Sequence, residues 1–413
     1  MIRTFSVLCV FFLINGFYIV QPFNSAMLVP FIAILGLVLF RQTFKVKNVL
    51  FLTDFKFLLF FCFMVSYCLC ISVFSGTYDF SYFKNFASQF VQLIIIISSF
   101  AILSSLDKRF SFDIERIIVY GFVLQSIIQV LAFLYPSVAD FVHLFYDKDK
   151  VERLYVNYSG GRGLALTGSP GWGISIGYAI SFLLFTKAFL LNQKIKLSSI
   201  VIAITLVVGA LFTGRSAFVG VFFSGIYYLL SGEAFLKKIK TVAMLLTLPV
   251  FIFLLLYIMF PSFSSLLIDK VFPFVFEFYY KYKSTGEIST KSTDILYNMW
   301  NINVGVSDII YGTGWFTNPQ TNEYYFGTDV GYLRNLLYGG LFWMVALVIY
   351  QFLLFGDFKR LNKDRNIKLF IFIFIFMLML LEVKAMSIGY NKYVFTVSVL
   401  LGLSFKDRYR NGH

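Results

Sequence analysis

Thirteen consecutive apolar residues stand between Leu369 and Leu381, and Leu93 to Ile97 repeats the pattern on a smaller scale. A run that is apolar on every side has no face to turn toward water, so it belongs in a bilayer or deep in a large core. The composition removes the second option. Apolar residues make up 59% of the 413 and charged ones 14%, against roughly 45–50% and about 25% in soluble chains. Mean hydropathy is +0.80, and 54 phenylalanines exceed what a water-soluble core could cover. The chain reads as a polytopic membrane protein. Helices are expected rather than barrel strands, because barrel strands alternate apolar and polar residues.

At roughly 20 residues per span, this apolar content allows about a dozen crossings. Hydropathy places them near 4–20, 26–40, 57–74, 87–104, 117–135, 171–191, 198–212, 216–230, 241–260, 331–355, 368–385 and 391–405. Only Thr213, Gly214 and Arg215 join the seventh to the eighth, which predicts a tight helical hairpin. The N-terminal run after Arg3 lacks a small-residue cleavage signal and a second run follows at once, so it reads as an uncleaved first span.

Cytoplasmic loops retain Lys and Arg. With the N-terminus inside, the inner side collects 22 of the 35 basic residues and 8 of the 21 acidic ones, which puts the whole net charge of +14 there. A pI near 9.4 is thus a topology signal spread over short loops, and it excludes a nucleic-acid-binding face. Both termini are expected in the cytoplasm, with a single transmembrane domain over 1–413 and two long outward loops, 136–170 and 261–330. Long loops in compact architectures are usually functional, so chemistry is expected on the outer face.

Three segments on that face carry candidate residues. The first runs from Tyr158 to Gly173 and sets Arg162 among six glycines; a guanidinium fork and bare amides suit phosphate oxygens, although an arginine near lipid headgroups reads the same way. The second is Phe212 to Gly220, where Arg215 requires an anionic partner or a route to the interface. The third holds Gly312-Thr313-Gly314-Trp315 and then Asp329-Val330-Gly331-Tyr332-Leu333-Arg334. Asp329 is a candidate base or a helix cap. Glu382 and Lys384 are the most deeply embedded charges, and Glu382 is expected to meet an arginine.

Other constellations carry less. Cys9, Cys62, Cys68 and Cys70 read as small core residues, and no metal site is expected. His143 and the run Asp147-Lys148-Asp149 read as solvated. Walker, H-E-x-x-H and G-x-S-x-G motifs are missing, which disfavours nucleotide hydrolysis and protease chemistry.

Arg162 through Gly173 fits an R-x10-G pattern, Thr213-Gly214-Arg215-Ser216 is a small-residue turn bearing an arginine, and Gly312-Thr313-Gly314 precedes Asp329-x-Gly331-Tyr332-Leu333. With about twelve spans and two outward loops, these resemble the O-antigen polymerase (Wzy) family within the O-antigen ligase and polymerase superfamily. Ligases generally place a His just before the span that follows the large loop; here Asp329 stands there. A second R-x10-G is missing, since Val345 lies eleven residues after Arg334.

The resemblance implies an all-α, GT-C-like membrane glycosyltransferase in the bacterial inner membrane, with its active site on the periplasmic face. It would join undecaprenyl-pyrophosphate-linked repeat units without nucleotide sugar, cofactor or metal. Its partners would be those lipid-linked glycans, membrane lipid and a chain-length regulator protein. Arg162 and Arg215, with Arg334, would neutralise the departing diphosphate. Asp329 or Glu382 would act as base. Gly173 would close the first motif, and Trp315, Tyr324, Tyr325 and Tyr332 would stack on sugars or form an interfacial belt. The alternatives are an O-antigen ligase acting on lipid A core and a lipid-linked oligosaccharide flippase.

Overall fold

The structure, a computed structural model, describes residues 1–20, 23–44, 55–107, 109–146, 163–191, 196–232, 238, 276–287, 289–321, 323–356 and 365–410. Helices hold 76% of them and strands 2%, so the fold is all-α. A helix satisfies its own backbone without a neighbour, which is what apolar surroundings demand. In chain order the helices are α1 (Ile2–Asn15), α2 (Ser25–Leu39), α3 (Phe55–Phe74), α4 (Ser81–Leu106), α5 (Phe110–Leu134), α6 (Pro136–His143) and α7 (Trp172–Phe185, prolonged by a π-turn over Thr186–Leu190). There follow α8 (Leu197–Leu211), α9 (Val219–Leu230, reached through a 3-10 turn over Arg215–Phe218), α10 (Glu277–Thr285), α11 (Lys291–Trp300), α12 (Val306–Tyr311), α13 (Gly331–Leu353), α14 (Arg365–Glu382) and α15 (Lys392–Arg410). A short antiparallel pair, β1 (Tyr18–Val20) and β2 (Phe23–Asn24), joins α1 to α2.

Helices occupy eleven of the twelve expected spans, and the remaining one, 241–260, lies outside the described residues. Among the described residues, 5 helices are long and apolar enough to cross a membrane: α3, α4, α5 from Asp113, α7 with its π-turn, and α13. α1, α2, α8 and α9 are apolar but shorter. α14 and α15 have the length but carry charged ends, Arg365, Lys368 and Glu382 in one and Lys392, Lys406, Asp407, Arg408 and Arg410 in the other. The chain is thus a helical, membrane-embedded protein by length and composition. The cysteines depart from expectation in part: Cys9 and Cys68 are buried, but Cys62 and Cys70 are exposed, because α3 buries only 22% of its apolar window.

The chain divides into two compact units, the first made of Met1–Gly121, Thr167–Ser169 and Met299–His413, the second of Phe122–Leu166 and Pro170–Asn298. In the first, α4 is the centre, packing against α1, α2, α3 and α15. Tyr82, Phe86, Gln89, Leu93, Ile96, Phe100 and Leu103 recur along it in alternating steps of four and three and are all buried, which is the seam of a helix enclosed by others. Gln89, the polar member, is satisfied on both sides: it donates to the Gly389 carbonyl at 2.8 Å and accepts from the Tyr350 hydroxyl at 2.8 Å.

In the second unit α7 is buried from Gly173 to Phe185 on every side. The Tyr178 hydroxyl donates to Gln129 Oε1 at 2.6 Å and meets Ser126 Oγ at 2.9 Å on α5. The predicted hairpin is replaced by a different arrangement, in which α8 and α9 both pack on α7. Gly214 (φ 145°) and the 3-10 turn redirect the chain, and Gly220 lets α9 close on α7, since a Cβ there would lie 2.2 Å from the Ala179 carbonyl oxygen.

Candidate functional site

The site in the first unit begins with a break in α13. Gly340 (φ 70°, ψ −170°) interrupts the helix, so the carbonyls one turn earlier need other donors. The Gly312-Thr313-Gly314 strip supplies them. The Thr313 amide donates to Leu337 O at 2.6 Å, its hydroxyl donates to the same oxygen at 2.9 Å, and the Gly314 amide donates to Tyr338 O at 3.0 Å. Gly312 and Gly340 permit the approach: a Cβ on Gly340 would lie 2.2 Å from Ile310 O, and one on Gly312 would lie 2.6 Å from Tyr338 O. A motif that alone reads as a turn is the strip onto which a broken helix docks.

The strip leads into Phe316, and Phe316 lies under Arg334. Arg334 sits in the first turn of α13 and is 6% exposed. Its guanidinium carbon is 4.0 Å from the Phe316 ring centroid and 3.5 Å from that of Tyr324, a clamp from both faces. Nε and Nη2 are buried with no hydrogen-bond partner among the described residues. Among the described residues no carboxylate forms an ion pair with it. A buried charge lacking a partner costs several kcal/mol in general, so the arrangement is suited to receive an anion at the guanidinium edge.

Glu382 was expected to pair with an arginine, and the structure gives it other partners. It is wholly buried; Oε1 accepts from Asn335 Nδ2 at 2.8 Å, and Oε2 accepts from the amides of Ser387 at 2.6 Å and Ile388 at 2.9 Å. The chain after α14 folds back, and its amides satisfy the carboxylate at close range, leaving the Arg334 charge to act without a bond. Asn335 Oδ1 in turn accepts from the Tyr82 hydroxyl at 2.5 Å. Gly331 is required beside this network, because a Cβ there would lie 2.4 Å from Glu382 Oε1. With both oxygens engaged and no exposure, Glu382 orders the base of the site.

Asp329 is exposed. It does not cap α13, whose N-cap Val330 receives no side-chain cap; Thr328 Oγ1 accepts from the Val330 amide at 3.2 Å in a local turn before the helix, while the Asp329 amide faces Met299 Sδ at 3.4 Å. Desolvation of its inner edge raises its carboxyl pKa above the ordinary range, and Arg334 pulls it back. Trp315 stacks on Tyr325 at 6.3 Å. The Tyr332 hydroxyl donates to Met379 O at 2.8 Å, tying α13 to α14. The first unit therefore gathers Asp329, Arg334, Glu382, Trp315, Tyr324, Tyr325 and Tyr332 in or beside one turn-rich segment. Phe316 and Asn335, which carry no motif of their own, are the residues a sequence reading misses.

Arg215 and Gly173 belong to the second unit. Arg215 Nη2 donates to Glu277 Oε2 at 2.8 Å and to Ser292 Oγ at 2.9 Å. Its anionic partner is therefore protein, a carboxylate in the first turn of α10, which the distance in sequence concealed. Gly173 is buried in the first turn of α7. His143 is half-buried rather than solvated, and burial lowers its pKa. Arg162 and the run Asp147-Lys148-Asp149 lie outside the described residues. No protein-family model, curated protein or solved structure matches the chain.

Proposed function

We propose that the chain is a membrane glycosyltransferase that joins undecaprenyl-pyrophosphate-linked oligosaccharide repeats into a surface polysaccharide on the outer face of the bacterial inner membrane. The observation that supports this reading is Arg334, buried between two aromatic rings, with two donors unpartnered beside the exposed carboxylate of Asp329. In the reaction the acceptor hydroxyl attacks the anomeric carbon as the glycosyl–diphosphate C–O bond breaks. Asp329 takes the hydroxyl proton, and the diphosphate leaves with its charge held at Arg334. Preorganised charge at a developing anion is often the largest catalytic contribution, about 10²–10³-fold for one donor. Diphosphate is already a good leaving group, so no nucleotide is consumed.

The test is Arg334→Ala and Arg334→Lys protein in liposomes with lipid-linked repeats, and in cells whose surface glycan is resolved by length. Both variants insert, and both leave surface glycan of a single repeat. A lysine keeps the charge but loses the planar fork and the stack, so it does not restore the ladder. A normal long-chain ladder in either variant overturns the assignment. Surface lipid A core without any glycan points to a ligase, and lipid-linked repeats stranded inside point to a flippase.

A further inference from the structure

The Arg334 clamp depends on where Phe316 is held, and that is set far away in sequence. Asp79 lies in the turn between α3 and α4, is 9% exposed, and directs its carboxylate at the strip that carries Phe316. Oδ2 accepts from the Phe316 amide at 2.9 Å and from the Thr317 amide at 2.7 Å, and Oδ1 accepts from the Ser81 amide at 2.9 Å. Around it the same turn grips the same strip. Thr77 Oγ1 donates to Gly314 O at 3.0 Å, Ser81 Oγ meets Thr317 Oγ1 at 3.0 Å, and Ser72 Oγ donates to the Asp79 carbonyl at 2.7 Å.

A carboxylate that takes two successive amides fixes the peptides on both sides of one Cα, which sets the direction in which the Phe316 side chain leaves the backbone. Phe316 is also held edge-on by Tyr82 at 4.9 Å and stacked on Tyr390 at 5.4 Å. Those rings fix its far side, and Asp79 fixes its backbone. We propose that Asp79 is the positioning residue of the Arg334 site, holding the Phe316 and Thr317 amides so that the Phe316 ring centroid stays within 4.0 Å of the guanidinium carbon. The catalytic meaning of this rests on the glycosyltransferase reading above; the positioning itself does not.

The readout is therefore the chemical reactivity of Arg334. The full-length protein in detergent is treated with phenylglyoxal, and modification of Arg334 is followed by peptide mass spectrometry, with Arg215 in the other unit as the internal reference. Asp79→Ala, which removes the acceptor of both amides, raises the Arg334 rate about tenfold, as expected when one buried cation–π contact is lost, and leaves the Arg215 rate unchanged. Phe316→Leu produces the same rise with the Asp79 grip intact, so it serves if Asp79→Ala does not fold. The double variant reacts no faster than Phe316→Leu, and Asp79→Glu recovers part of the protection. An Arg334 rate unaltered in folded Asp79→Ala, or Asp79 and Phe316 effects that multiply, overturns the proposal; so does Phe316→Leu leaving the rate unaltered. Inorganic diphosphate added to the wild-type protein tests the other reading: protection of Arg334 supports the anion site, and its lack removes that site while leaving the Asp79 result standing.

Discussion

Asp329 and Arg334 are five residues apart, and on the Asp329 carboxyl burial and the Arg334 charge act in opposite directions. Desolvation lifts the Asp329 carboxyl above the ordinary value of about 3.9, and Arg334 lowers it again. A base works only when deprotonated, so activity falls as pH drops through this raised pKa, and the acid limb of the rate profile lies above the usual aspartate range. Arg334→Gln removes the charge that favours the carboxylate, so the limb in its residual activity moves to still higher pH. Profiles of kcat/KM for the two proteins test this, and a limb that stays put or moves to lower pH rejects Asp329 as base. At this scale the sequence was a partial guide. Arg334 and Asp329 stand out because a charge beside an apolar run is conspicuous. Asp79, Phe316 and Asn335 do not, because their roles arise from bonds spanning 237 to 253 positions of chain. The partner of Glu382 was misjudged for a similar reason: two backbone amides, invisible to any charge count, reach it first.

Helix positions follow from hydropathy, because only a helix hides its backbone in an apolar medium; where a helix breaks does not follow so directly. α13 reads as one span, yet Gly340 divides it and the Gly312-Thr313-Gly314 strip fills the gap. Gly-Thr-Gly and Gly339-Gly340 are each ordinary turn signals, and what they share is visible only once they touch. Gly327 gives a control within the same segment. Its φ is 62° and nothing lies within 4 Å of a Cβ placed there, so Gly327→Ala costs only the left-handed penalty of about 1–2 kcal/mol. Gly340→Ala puts a side chain at φ 70°, ψ −170°, a region essentially reserved for glycine and costlier than the left-handed one, and also drives a methyl to 2.2 Å from the Ile310 carbonyl oxygen, so the strip must detach from the helix. Thermal unfolding in detergent should show the Gly340→Ala protein clearly below Gly327→Ala, with faster proteolysis around residue 312. Equal melting temperatures would mean that the strip and the break are not coupled.

Within the first unit, charge and chemistry sit at opposite ends of α4. At its C-terminal end Arg3 lies 3.8 Å from Asp113, Arg116 lies 3.5 Å from the same carboxylate, and Arg408 bonds Glu115. Counting charges assigns all five residues to the cytoplasmic side, and they meet at one end of the unit. At the N-terminal end stand Asp79, the Gly314 strip and, through Phe316, Arg334. α4 has 26 residues, which at about 1.5 Å each exceed the roughly 30 Å hydrocarbon thickness, so it is long enough to set its two ends on opposite sides of a bilayer. Which end faces out can be read with an impermeant maleimide after Cys9, Cys62, Cys68 and Cys70 are replaced. A cysteine at Gln320, exposed in the strip's continuation, labels in intact spheroplasts; one at Gln42, exposed just past the end of α2, labels only after lysis. The positive-inside bias orients short loops through their Lys and Arg alone, so reversal requires that this bias be overridden. The reverse pattern would place Arg334 on the cytoplasmic face, where no outward-facing polymer could be assembled, and it would remove the glycosyltransferase reading while leaving the fold untouched.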